Sequence, residues 1–231
     1  MDDDVTSRPA PRWPWALGLS AILGACFWFF ARPDWVGVLG TGGAWLTVSG
    51  PRLSGPAAFL AGFAILGLIP ALVARPLLER GPMDLGLGLG DWRRGLPLLA
   101  LGIVVGGVIG WQSATSPDLA AVYPLGGATL APAAFAVHAL AYLLYYAGFE
   151  FHYRGFLLLG LREHLGTAPA NLLQAGLATL VHLGKPHVEL AAVIPASLLF
   201  GWVALRTRSI WYAVAIHWVV GVTLDYFLLI R

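Results

Sequence analysis

Long apolar runs broken by short polar or glycine- and proline-containing stretches set the pattern of this chain. They lie at about residues 13 to 31, 36 to 50, 56 to 74, 96 to 111, 130 to 160, 168 to 183, 188 to 205 and 209 to 230. A helix needs about 20 apolar residues to cross a hydrocarbon core of about 30 Å, so the runs predict an all-α bundle of about eight membrane helices. The number drops to about seven if the run at 36 to 50, short and glycine-rich, does not span. The run at 130 to 160, as one helix, would be about 46 Å long and must tilt, bend or protrude. Gly148 and Gly155 are the expected places for a bend or a close helix approach.

Composition agrees with the pattern. Of 231 residues, 58% are hydrophobic and 11% charged, far below the charged fraction of a soluble domain. The 10 Trp, 29 Gly and 16 Pro fit membrane helices and their interfaces. A net charge of +2 gives no sign of a nucleic-acid partner; the expected partner is the lipid bilayer. Cys26 is the single cysteine, which rules out an intramolecular disulfide, and its apolar neighbours suggest an inert buried thiol. Residues 1 to 12 read as a polar tail without a secretory signal, and residues 13 to 231 as one transmembrane domain. The connector at 75 to 95 holds four arginines, whereas the loop at 112 to 129 has no Lys or Arg. That asymmetry predicts a cytoplasmic, interfacial connector. No internal repeat of the transporter kind is present.

Candidate chemistry begins at "GFEFHYRGFL", residues 148 to 157, where a glutamate, a histidine and an arginine stand inside an apolar run. An ionised side chain at the bilayer centre costs about 2.5–3.5 kcal/mol. Glu150 and Arg154 are spaced i, i+4 in the favourable order for a helical ion pair. The pair therefore reads either as a packing salt bridge or as part of a functional site. His182 and His217 lie in later apolar runs, and Asp225 follows His217 on the same broad helix face with about 12 Å of rise between them. A lone histidine in an apolar helix is usually a packing residue; two in different helices, each with a nearby acid, suggest a site. His138, His152, His164 and His187 receive no role.

The order Glu-x-x-x-Arg-Gly, then a histidine closing the next apolar run, then a histidine in the last helix after "RTRSIW", resembles the CPBP family of intramembrane proteases. This family groups the CAAX prenyl proteases with bacterial bacteriocin-processing and self-immunity proteins. The resemblance covers roughly residues 130 to 225, with a weaker echo in "LGLGLGDWRRGLPLL", and implies a helical bundle with a polar intramembrane cavity and a protease-like core at about 130 to 231. The first family motif, Glu-Glu-x-x-x-Arg, falls on Phe149, Glu150 and Arg154, so its first glutamate is missing. The second, Phe-x-x-x-His, falls on Ala178 and His182. The last, His-x-x-x-Asn or Asp, falls on His217 and Gly221, so its polar partner is absent and Asp225 is one turn further on. "FEFHYRG" and "HLGKPHVE" look like a branch that reads Phe-Glu in place of Glu-Glu.

Peptide hydrolysis needs an activated water, stabilisation of the oxyanion and a proton for the leaving amine. The expected assignment has Glu150 as base, His182 sharing its water, and His217 facing the oxyanion with Asp225 holding its tautomer. Arg154 supports Glu150. Lys185 and Glu189 either line the cavity mouth or are a snorkelling lysine and a solvated acid. Glu150, His182 and His217 would also suit a catalytic zinc, although the missing His-Glu-x-x-His spacing favours a metal-free glutamate protease without a cofactor. The remoteness of Cys26 and the absence of Gly-x-Ser-x-Gly disfavour nucleophile-based proteolysis. An inactive membrane scaffold or immunity protein is the main rival and a transporter the third. The expected substrate is a membrane-anchored peptide or protein, and the compact size and composition suggest a bacterial inner membrane.

Overall fold

The computed structural model describes residues 11–31 and 55–231. Most of the expected tail at 1 to 12 and the whole run at 36 to 50 lie outside the described residues. Within them the chain forms eight helices: α1 (Trp13–Phe30), α2 (Gly55–Leu78), α3 (Trp92–Ser113), the one-turn α4 (Pro117–Ala120), α5 (Pro132–Leu165), α6 (Thr167–Leu180), α7 (His187–Thr207) and α8 (Trp211–Ile230). No strand occurs among the described residues. The protein is an all-helical integral membrane protein. Six helices, all but α4 and α6, are long and apolar enough to cross a bilayer. The run at 168 to 183 yields the 14-residue α6, about 21 Å long and too short to span the core.

Small residues set the helix spacing. On α3, Gly95, Gly102, Gly106 and Gly110 share one face, which receives Tyr212, Ile216 and Val220 of α8. A Cβ at Gly110 would lie 2.6 Å from the backbone oxygen of Val220, so the two backbones touch there as small-residue membrane interfaces allow. Trp218 of α8 donates its indole N–H to Ala139 O of α5 at 2.8 Å, which ties the last helix to the central one.

The long run does form one continuous helix, α5, and the expected irregularity is a π-helical stretch at Phe151–Leu159, directly after Glu150. Wider π turns recur at functional sites because they re-aim side chains. Gly148 is a close approach: an added Cβ would sit 2.8 Å from Phe63 Cα on α2. α2 has its own π-helical turn facing this region, at Ala64–Leu68. Every residue from Tyr146 to Gly160 is buried.

The arginine-bearing connector docks on the α7–α8 turn. Ile210 N–H donates to Gly86 O at 3.0 Å, and Asp91 N–H donates to Thr207 O at 2.6 Å. The Trp211 indole donates to Leu87 O at 2.8 Å and the Tyr212 hydroxyl to Leu89 O at 2.9 Å. Gly90 has φ +57°, and its absent Cβ would overlap Thr207 O, so both its conformation and its contact require glycine. Arg80 reaches across to pair with Glu163 near the end of α5. Asp91 caps α3 by accepting from Arg94 N–H at 3.2 Å.

Candidate active site

The site is built around the last turn before the π-helical stretch of α5. Glu150 has 0% and Arg154 1% of the side chain exposed, and Arg154 Nε lies 3.1 Å from Glu150 Oε2. The contact is an ion pair without hydrogen-bond alignment, since neither atom has an aligned partner among the described residues. The guanidinium also stands 5.6–6.0 Å from the ring centroids of Phe149, Tyr153 and Phe200, a setting in which ring faces offset part of its desolvation.

The second Glu150 oxygen faces α8. His217 Nδ1 donates to Glu150 Oε1 at 2.7 Å, and the hydrogen bond fixes the imidazole's orientation. His217 Nε2 has no hydrogen bond among the described residues, and the side chain is 23% exposed. The ring is packed by Tyr146, Phe200 and Phe149 at centroid distances of 4.2, 5.3 and 5.7 Å.

His217 opens on a cavity of about 340 Å³ whose wall also includes Phe149, His182, Lys185, Glu189 and Tyr146. Helices α1 and α5, the loop at 121 to 125 and the turn before α7 complete it. His182 Nδ1 lies 2.7 Å from Ala178 O. A backbone carbonyl only accepts, so Nδ1 carries the proton and Nε2 of the neutral ring is an acceptor. That Nε2 is 3.9 Å from Glu189 Oε1. The Phe149 ring stands edge-on to both imidazoles, 5.7 Å from each.

The expected grouping changes in three respects. Glu150 does meet His217 and Arg154, but it does not line the cavity: its carboxylate is fully buried beneath the imidazole. Asp225 does not hold His217. Its Oδ2 lies 2.7 Å from His138 Nε2, deep beside Phe59 and Tyr142, because the rise along α8 carries it past the site. Glu150, His182 and His217 do not converge as a zinc set: Glu150 occupies the inner nitrogen of His217 while His182 faces Glu189, and among the described residues no three His, Cys, Asp or Glu side chains form a metal-binding group.

Sequence reasoning missed two contributors. Tyr146 places its hydroxyl where a side chain at Gly221 would begin: a Cβ there would overlap Tyr146 Oη. The oxygen therefore takes the space of the missing polar partner one turn from His217. Tyr123, in the loop before α5, donates its hydroxyl to Glu189 Oε1 at 2.9 Å and accepts from Lys185 Nζ at 3.0 Å. Lys185 and Glu189 thus line the cavity as part of a hydrogen-bonded chain. His138 has a partner in Asp225, His152 is buried against Tyr153 and Phe156, and His164 stacks on Trp13.

The class the fold and site define is a helical membrane bundle that encloses a cavity lined by two oriented imidazoles, one of them backed by a buried carboxylate. Residues 126–223 match the model of the family described as Type II CAAX prenyl endopeptidase Rce1-like. The match covers residues 126–223 of the 231-residue chain, so it is this region that is similar to the CAAX-protease-like membrane proteins. The matched region begins before α5 and ends within α8, so it holds Glu150, Arg154, His182, Glu189 and His217. No curated protein and no solved structure matches the chain.

Proposed function

We infer that the protein is an intramembrane endopeptidase that hydrolyses a peptide bond in a membrane-anchored protein or peptide. The observation that carries this reading is the pair of cavity-lining imidazoles, each fixed at Nδ1 by an acceptor behind it: Glu150 for His217 and Ala178 O for His182. Each ring so held has its Nε2 available for proton transfer. The match of residues 126–223 to the Rce1-like family model supports a CAAX-type endopeptidase activity.

The reaction needs a donor at the developing oxyanion. His217 in its protonated form supplies one at Nε2, with Glu150 holding the ring from the inner side. The Tyr146 hydroxyl, in the space left by Gly221, is a second donor within the same wall. Arg154 faces the other Glu150 oxygen from the side away from His217 and does not line the cavity.

An apolar groove of about 410 Å³ between α1 and α6 adjoins this cavity, sharing Val181 and Gly184 with it. The junction suits a substrate whose scissile bond is close to an apolar segment, in keeping with a membrane-anchored precursor in a bacterial inner membrane. Purified protein in lipid vesicles, presented with peptides anchored by a hydrophobic helix, should cleave them. His217→Ala should not.

A second reading, a scaffold or immunity protein without hydrolytic activity, draws on Phe149, which sets an apolar ring between the two histidines. Absence of cleavage by folded wild-type protein would favour it.

A further inference from the structure

Of the acidic side chains among the described residues, Glu189 alone lines the cavity. It stands in the first turn of α7. Its Oε1 accepts the Tyr123 hydroxyl at 2.9 Å, and Tyr123 in turn accepts from Lys185 Nζ at 3.0 Å. Burial and, secondarily, the nearby Glu189 charge push the Tyr123 phenol well up, so it remains a donor. The other carboxylate oxygen, Oε2, is buried with no hydrogen-bond partner among the described residues.

His182 Nε2 and Glu189 Oε1 are 3.9 Å apart. The backbone bond at Nδ1 makes Nε2 an acceptor, so this is an acceptor facing an acceptor. Such a pair satisfies itself through a water that donates one hydrogen to each. A water about 2.8 Å from both atoms would subtend about 90° between them, close to its own H–O–H angle, and would leave its lone pairs free. The two side chains thus form a seat for a water in the wall of the same cavity that His217 lines.

We propose that Glu189, together with His182, binds and deprotonates the hydrolytic water, and that Tyr123 and Lys185 position Glu189 for this role. The proposal rests on the endopeptidase reading and adds the group that activates water, which Glu150 cannot reach from beneath His217. In the reaction the water oxygen bonds to the scissile carbonyl carbon while one water proton passes to the Glu189 carboxylate. The carbonyl π pair moves onto oxygen and is stabilised by His217. Glu189 then returns its proton to the amide nitrogen as the C–N bond breaks, giving an amine and a carboxylic acid that retains the water's second proton until it ionises. No oxidant, reductant or further reactant is required.

The test uses the full chain in lipid vesicles with the helix-anchored peptide library, comparing wild type with Glu189→Gln, Glu189→Gly and Tyr123→Phe. Glu189→Gln should lower kcat by about 10²–10⁴-fold with KM nearly unchanged, as expected for loss of a general base. Added formate should restore part of the activity of Glu189→Gly, which a purely structural role would not produce. Tyr123→Phe should lose about tenfold in kcat through loss of one positioning hydrogen bond; it carries the test if the Glu189 variants do not fold. Wild-type rates in Glu189→Gln, or in Tyr123→Phe where that variant decides, would overturn the role of Glu189. If His182→Ala and His217→Ala were inactive in the same experiment, the endopeptidase reading would survive. A wild-type protein that is folded yet cleaves nothing would overturn both.

Discussion

At the residue scale the centre of the site is a charge arrangement sealed from water. Glu150 holds His217 with one oxygen and faces Arg154 with the other, so removing any one member leaves an uncompensated group in a low-dielectric setting. Glu150→Gln should lower cleavage by about 10²-fold through loss of imidazole orientation, and should destabilise the protein by about 3–5 kcal/mol because Arg154 is stranded. In the double variant Glu150→Gln, Arg154→Met, the destabilisation should fall short of the sum of the single changes. Thermal unfolding in detergent measures all three. The His138–Asp225 pair lies apart from the cavity. Asp225→Asn should therefore cost stability, about 1–3 kcal/mol for a weakened buried hydrogen bond, with cleavage retained. Loss of cleavage in a folded Asp225→Asn protein would return Asp225 to the active site.

At the element scale, glycine positions decide how close the helices come. α3 and α8 are in backbone contact at Gly110, where an added Cβ would meet backbone atoms of Val220 and Leu224. Gly107, three residues earlier, has nothing within 4 Å of such a Cβ. Gly110→Ala should therefore destabilise by about 1–3 kcal/mol, because backbone cannot yield as a flexible side chain can. Gly107→Ala should be neutral or gain up to about 1 kcal/mol from helix propensity. Melting curves of the two variants in one detergent should separate clearly; coincident curves would contradict the close α3–α8 approach. The π-helical stretch of α5 shows where sequence reasoning stops. Spacing marks Gly148 and Gly155 as points of irregularity or contact, but the change of helix type depends on how α5 packs on α2, α6 and the connector.

The same limit applies across the whole molecule. The bundle was legible because apolar runs of spanning length carry a strong periodic signal, and Glu150 with Arg154 was legible because i, i+4 neighbours share a helix face regardless of tertiary packing. His217 and His182 stood out as polar groups in apolar runs. The contact between His217 and Glu150 joins two helices, and no spacing along the chain records it. Asp225 was drawn toward His217 by its place on the same helix face, yet its partner, His138, comes from α5. Glu189 acquires its setting only because the loop before α5 folds Tyr123 over the cavity. Tyr146 fills the Gly221 space only because α5 and α8 cross there.

The most direct test of the account is cleavage of helix-anchored peptides by the purified full chain in lipid vesicles, with and without a strong chelator and beside His217→Ala. Cleavage by the wild type should survive chelation and be lost in folded His217→Ala. Failure of folded wild type to cleave any anchored peptide would contradict the endopeptidase assignment. Cleavage abolished by the chelator and restored by zinc would contradict the metal-free mechanism.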